Sequence, residues 1–136
     1  MTEEQQQFVD SLRSEKLPLH QLRMKLQSLS RGERFGALLS LFTESNDYGA
    51  QQLAGRLLID LKPDCPEKVA DILSAVAGTW NPSVEELPFY LSDTFGAPAV
   101  VETAIALEQR FAPDTRERQA MGTFAWWLKR RLEDAG

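Results

Sequence analysis

The 136 residues predict an all-α domain of about eight short helices, and three observations carry the prediction. Apolar residues recur at steps of three and four through almost every segment, and no segment alternates as a half-buried strand does. Hydrophobic residues make up 43% and charged residues 26%, the usage of a single globular domain with a sizeable core. Pro, Gly, Asn and Asp punctuate the stripes and leave loops of roughly 2–6 residues, as compact helical domains have.

The elements follow in order. Residues 2–14 form a first helix, with Thr2 as its N-cap and Phe8, Val9 and Leu12 on one face. Leu19, Leu22, Leu26 and Leu29 make the second stripe, with Pro18 suited to the first turn. Phe35, Leu38, Leu39 and Phe42 mark the third. Asn46 or Asp47 caps a fourth, which bears Ala50, Leu53, Ala54, Leu57, Leu58 and Leu61. Pro63-Asp64-Cys65-Pro66 breaks the chain. A fifth helix opens at Pro66, carries Val69, Ile72, Leu73 and Val76, and ends at Gly78. Trp80-Asn81-Pro82 is a connector. Ser83 and Glu86 have capping-box spacing ahead of Leu87 and Leu91. Pro88 would remove a backbone bond from a helix over 84–95, so a shorter one over 88–95, stopped by Gly96, is expected. Pro98 opens a seventh helix with Val100, Val101, Ala104, Leu107 and Phe111. Asp114 and Glu117 give another capping signature, and the last helix carries Met121, Phe124, Trp127, Leu128 and Leu132.

The chain also matches itself at an offset of 50. Leu57, Pro63, Asp64, Glu67 and Ala70 recur as Leu107, Pro113, Asp114, Glu117 and Ala120, and Ala54/Ala104 and Leu41/Leu91 extend the match upstream. In each copy an apolar helix ends, Pro and Asp make the turn, and Glu follows near the next helix start. Pro63-Asp64…Lys68…Ala70 and Pro113-Asp114…Arg118…Ala120 resemble the turn and second helix of HEAT and armadillo repeats. The resemblance implies a short right-handed stack of antiparallel helices with a concave binding face. It divides a single domain, 1–136, into capping helices at 1–31 and two helical repeats at 32–81 and 82–132. An irregular helical bundle is the other arrangement the pattern allows.

The net charge of −5 is uneven, since residues 32–96 carry ten Asp/Glu against four Lys/Arg. That balance argues against nucleic acid as a partner. Lys129-Arg130-Arg131 is the one basic cluster, expected to complement a helix C-terminus. The longest apolar run is far short of the ~20 residues that span a bilayer, and Met1–Gln7 is acidic and polar, unlike a secretory signal. Those features point to a cytoplasmic protein that uses no membrane.

Enzyme constellations are scarce. One cysteine, Cys65, leaves no internal disulfide framework, and one histidine, His20, leaves no paired metal or acid–base motif. Glu85 and Glu86 read as capping or solvated carboxylates, and Arg34, Arg56 and Arg118 as solvated or structural cations. No phosphate loop, nucleophile elbow or zinc spacing occurs, so neither catalysis nor a cofactor is expected.

Aromatics are the better lead, because eight of the twelve lie between residues 80 and 127. Phe124 and Trp127 share the Leu128 face, whereas Trp126 is rotated by ~100°. Trp80, Tyr90 and Trp126 are therefore candidate anchors of a partner surface, joined by Glu85, Glu86 and Asp93 from the acidic middle. The expected function is non-catalytic binding of another, basic, protein. In general character the chain resembles adaptors and toxin-neutralising, immunity-type proteins. The alternatives are a small-molecule or lipid site between helices, or a homo-oligomeric scaffold built on the Trp-rich final helices.

Overall fold

A computed structural model describes residues 2–14, 19–44 and 47–135. The chain is all-helical. Among the described residues run α1 (Glu3–Ser14), α2 (Leu19–Gln27), α3 (Arg31–Thr43), α4 (Tyr48–Leu61), α5 (Val69–Val76), α6 (Glu86–Phe95), α7 (Ala97–Arg110) and α8 (Arg116–Ala135), with no strand. Pro18 and Asn46 lie outside the described residues, as do the side chains of Val9, Leu12, Leu19 and His20.

Helix ends follow local chemistry, not always at the expected residue. Thr2 caps α1 reciprocally: the Gln5 N–H donates to Thr2 Oγ1 at 3.1 Å, and the Thr2 N–H donates to Gln5 Oε1 at 2.7 Å. The fifth helix begins at Val69, not Pro66. The sixth begins at Glu86, with Pro88 in its first turn, where a missing N–H breaks no helical bond. Ser83 and Glu86 form no capping box; Asn81 Oδ1 instead accepts the Ser83 N–H at 2.9 Å. At α8 the cap is Thr115, not Asp114, since Thr115 Oγ1 accepts the Arg118 N–H at 3.3 Å.

Each helix packs mainly on elements one or two places along the chain, including α1 on α3, α4 on α6, α5 on α7 and α6 on α8. The predicted stripes supply one continuous core, from Phe8 and Leu26 through Phe35, Leu38 and Leu57 to Phe124 and Leu128. Leu53 is half-buried outside that core, and Leu132 is the larger exception. It is exposed, because α8 is six residues longer than α7, its main packing partner, and outruns it. Two glycines set how the helices meet. A β-carbon on Gly55 would lie 2.9 Å from Glu86 Cβ and 3.2 Å from Val84 Cγ1, so α4 approaches the start of α6 through a missing side chain. Gly96 alone joins α6 to α7, at φ 90, a conformation that residues with a β-carbon rarely adopt.

Part of the burial pattern of α3 and α4 recurs in α6 and α7 at the offset of 50, although buried Phe35 and Gly55 stand against exposed Glu85 and Ile105. Ala37/Leu87, Leu38/Pro88, Leu41/Leu91, Gln51/Val101, Ala54/Ala104 and Leu57/Leu107 are all buried. The register then slips by two. Ile72, Leu73, Val76 and Ala77 correspond in burial to Ala120, Met121, Phe124 and Ala125, an offset of 48. The cause is the connection over 62–68, two residues longer than that over 111–115. Ala70 and Ala120, paired by sequence, consequently differ, the first exposed and the second buried.

The connector over 77–85 is the most tightly tied non-helical stretch. Trp80 is fully buried, packs edge-on against Phe124 at 4.9 Å, and donates its indole N–H to Val84 O at 3.0 Å. Buried Gln51 grips the backbone on both sides of it: its amide NH₂ donates to Thr79 O at 2.7 Å, and its carbonyl accepts the Asn81 N–H at 2.7 Å. Thr79 Oγ1 donates to Phe42 O. Replacing Gln51 by Leu keeps the volume but orphans a carbonyl and an N–H. The expected loss is about 2–6 kcal/mol, at ~1–3 kcal/mol per unsatisfied group. Urea unfolding checks it, and a loss below about 1 kcal/mol would show that Gln51 does not hold the connector.

Candidate functional site

The six residues expected to bind a partner do not form one surface. Trp80 is buried as described. Tyr90 is only 2% exposed, stacked on Phe35 at 5.8 Å, with its hydroxyl donating to Pro63 O at 2.6 Å. Both polar handles are used internally, so neither ring is available to a partner. Glu86 is half-buried and accepts from the Gln52 amide. Asp93 is exposed but pairs with Arg131 at 3.3 Å. Glu85 is exposed without an ion pair among the described residues. Trp126 remains open, with half of its surface exposed.

The twist between neighbouring tryptophans separates their roles. Trp127 donates its indole N–H to Pro82 O at 2.9 Å and meets Phe89 edge-on at 6.3 Å, pinning α8 to the connector and α6. Trp126 leans on Trp127 at 5.0 Å and carries the Arg130 guanidinium over its ring at 5.3 Å. Arg131 lies over Phe89 at 4.7 Å. Arg130 and Arg131 thus engage aromatic rings and a carboxylate, and the triplet lies before the last turn of α8, which continues to Ala135.

Trp126 lines an open groove of about 620 Å³ between α7 and α8. Gly122 and Thr123 line it on α8, Arg118 on the same helix and Glu108 on α7. The Glu108 carboxylate lies flat over Gly122, with both oxygens 3.7 Å from where a β-carbon would stand. It makes no hydrogen bond or ion pair among the described residues. Arg118 is turned to the Phe111 carbonyl at 3.3 Å. The groove therefore offers an unpaired carboxylate, a half-exposed indole and a side-chain-free helix surface. Glu108 was not singled out from the sequence. Its signal was the self-match, in which buried Leu58 in the first copy stands against Glu108 in the second.

Arg34 and Cys65 each have a local backbone partner. Arg34 donates to Leu29 O and Gln27 O at 3.2 and 2.8 Å, closing the end of α2. Cys65 is half-buried, three residues before the Lys68 cap of α5, and burial pushes its thiol above the ordinary range. That is opposite to what a thiolate nucleophile needs. No group of three or more His, Cys, Asp or Glu among the described residues is placed to hold a metal, and no described helix is long and apolar enough to cross a membrane. No protein-family model, curated protein or solved structure matches the chain.

Burial, with smaller effects from Cys65 and Asp64, pushes the Tyr90 phenol up to about 12. A group whose folded pKa is raised stabilises the fold below its unfolded pKa, near 10 for tyrosine, and that stability drains as pH rises through the folded value. Stability should therefore fall between pH ~10 and ~12. In Tyr90→Phe the drop in that window should shrink, while stability near neutrality falls by about 1–2 kcal/mol for the unpaired Pro63 carbonyl. Denaturant unfolding across alkaline pH measures both effects; identical slopes in the two proteins would refute the assignment.

Proposed function

We propose that the chain is a non-catalytic protein-binding module that seats a basic, partly apolar segment of another protein in the α7–α8 groove. The observation that carries this reading is the unpaired Glu108 carboxylate over the Gly122 surface, with Trp126 half-exposed beside it. A lysine or arginine entering the groove would meet Glu108, and a neighbouring apolar side chain would cover the free edge of Trp126. The net charge of −5, with Asp64, Asp71 and Glu85 unpaired among the described residues, speeds encounter with a basic partner. Partial recurrence of the burial pattern in α3–α4 and α6–α7 supports reading 32–81 and 82–132 as two copies of one helical unit, with the groove between the last two helices of the second. An adaptor or toxin-neutralising role in the cytoplasm fits that reading.

The test is selection from a displayed random-peptide library, followed by affinity measurement. Selected sequences should be enriched in Lys or Arg next to an aromatic or aliphatic residue. Trp126→Ala should weaken the selected peptides by roughly 30-fold, the scale of an interface anchor worth ~2 kcal/mol. Glu108→Gln should weaken them by roughly tenfold, and more at low salt than at high. Peptides without basic enrichment, or with affinities indifferent to both substitutions, would sink the reading.

A further inference from the structure

Two local rules are broken at one place, far along the chain from the groove. Arg31 and Arg34 occupy the first and fourth positions of α3, where the positive end of the helix dipole disfavours cations. Lys62 closes α4 at φ 45 and ψ 59, the one non-glycine with positive φ among the described residues. All three side chains line a single recess of about 90 Å³, with Leu61, Pro63 and Asp64 as the other walls. A water molecule needs only ~15 Å³ by the same measure, so the recess takes something larger.

Its electrostatics are one-sided. Arg31 and Lys62 make no ion pair among the described residues. Arg34 is held rigid by its two carbonyl bonds, which leave its other terminal nitrogen without a bond. Asp64 is the single acid in the lining. Glu33, on the same turn as Arg31, is taken up by the Thr2 and Ser30 hydroxyls at 2.8 Å each. Three cations against one carboxylate leave the recess at +2 within a chain of −5. Guanidinium forks bond tetrahedral oxyanions through paired N–H donors, and lysine adds a compact charge.

We propose that Arg31, Arg34 and Lys62 form a binding site for the phosphate group of a small soluble phosphate monoester. The dianion balances the surplus charge, which a monocarboxylate does not. A bound anion relieves the dipole conflict at Arg31, while the left-handed backbone of Lys62 closes α4 with its N–H on Leu58 O and holds the ammonium at the edge of the recess.

Inorganic phosphate and glycerol phosphate, titrated at low ionic strength and followed by backbone amide NMR, test this. Saturable shifts should be confined to residues 31–34 and 61–64. The double variant Arg31→Gln/Lys62→Gly should bind at least tenfold more weakly while keeping its fold and melting temperature, because glycine suits the backbone at 62 and glutamine relieves the dipole conflict at 31. Asp64→Asn should bind several-fold more tightly. The proposal is overturned by unsaturable shifts, by shifts centred on Lys129–Arg131, by equal shifts from chloride at matched ionic strength, or by unchanged affinity in the double variant. Binding confined to phosphatidate vesicles, without response to the soluble anions, overturns it as well.

Discussion

The connector between α5 and α6 buries Trp80 and Val84 while Pro82, Ser83 and Glu85 stay exposed, and the way its inner backbone is satisfied holds the rest of the structure in place. Buried amide groups without partners cost as much as a large core residue contributes. Gln51 meets the requirement because a carboxamide offers a donor and an acceptor side by side, matching the carbonyl of Thr79 and the N–H of Asn81. Between those two bonds the chain turns Trp80 inward onto Phe124. One side chain of α4 thereby fixes a residue that seats α8, and the first set of helices is keyed to the second through a hydrogen-bonded clasp more than through any single apolar contact.

That arrangement explains which parts of the fold were legible in the sequence. Stripes at helical period gave all eight helices, because Leu22, Leu38, Leu57, Ile72, Leu107 and Phe124 must all face inward for any core to form. The rotation between Trp126 and Trp127 was legible for the same reason, being a property of the helix itself. Trp80 and Tyr90 were not. A large ring with a polar handle suits a core or an interface equally, and what decides is whether a carbonyl waits at the right place. For Tyr90 that carbonyl belongs to Pro63, 27 residues away, and for Trp80 it belongs to Val84, in an irregular stretch that no periodicity describes.

Charge shows the same division. The acidic middle was plain from composition, but its distribution over the surface was not. Asp60 is paired with Arg23 at 2.7 Å and Asp93 with Arg131, while Glu86 serves Gln52, so about half of the named acids fasten helices to one another. The informative charges stand against the local pattern. Glu108 occupies the place of Leu58 in the self-match, and Arg31 stands at a helix start that favours acids. Departures from local pattern, more than charge density, mark the two places with unpaired functional groups.

The joints between helices also differ in how they respond to a change of chain length. The connection over 62–68 is two residues longer than its counterpart over 111–115, yet α5 and α8 both seat an apolar face. A loop of that length absorbs the difference before the next helix begins. The joint at Gly96 has no such slack, since one residue carries the whole reversal from α6 to α7. A residue inserted there would displace the start of α7, whose main packing partner is α8, unless the one-residue reversal were rebuilt. Length variation in chains of this fold is thus expected to gather after α4 and to be absent between α6 and α7.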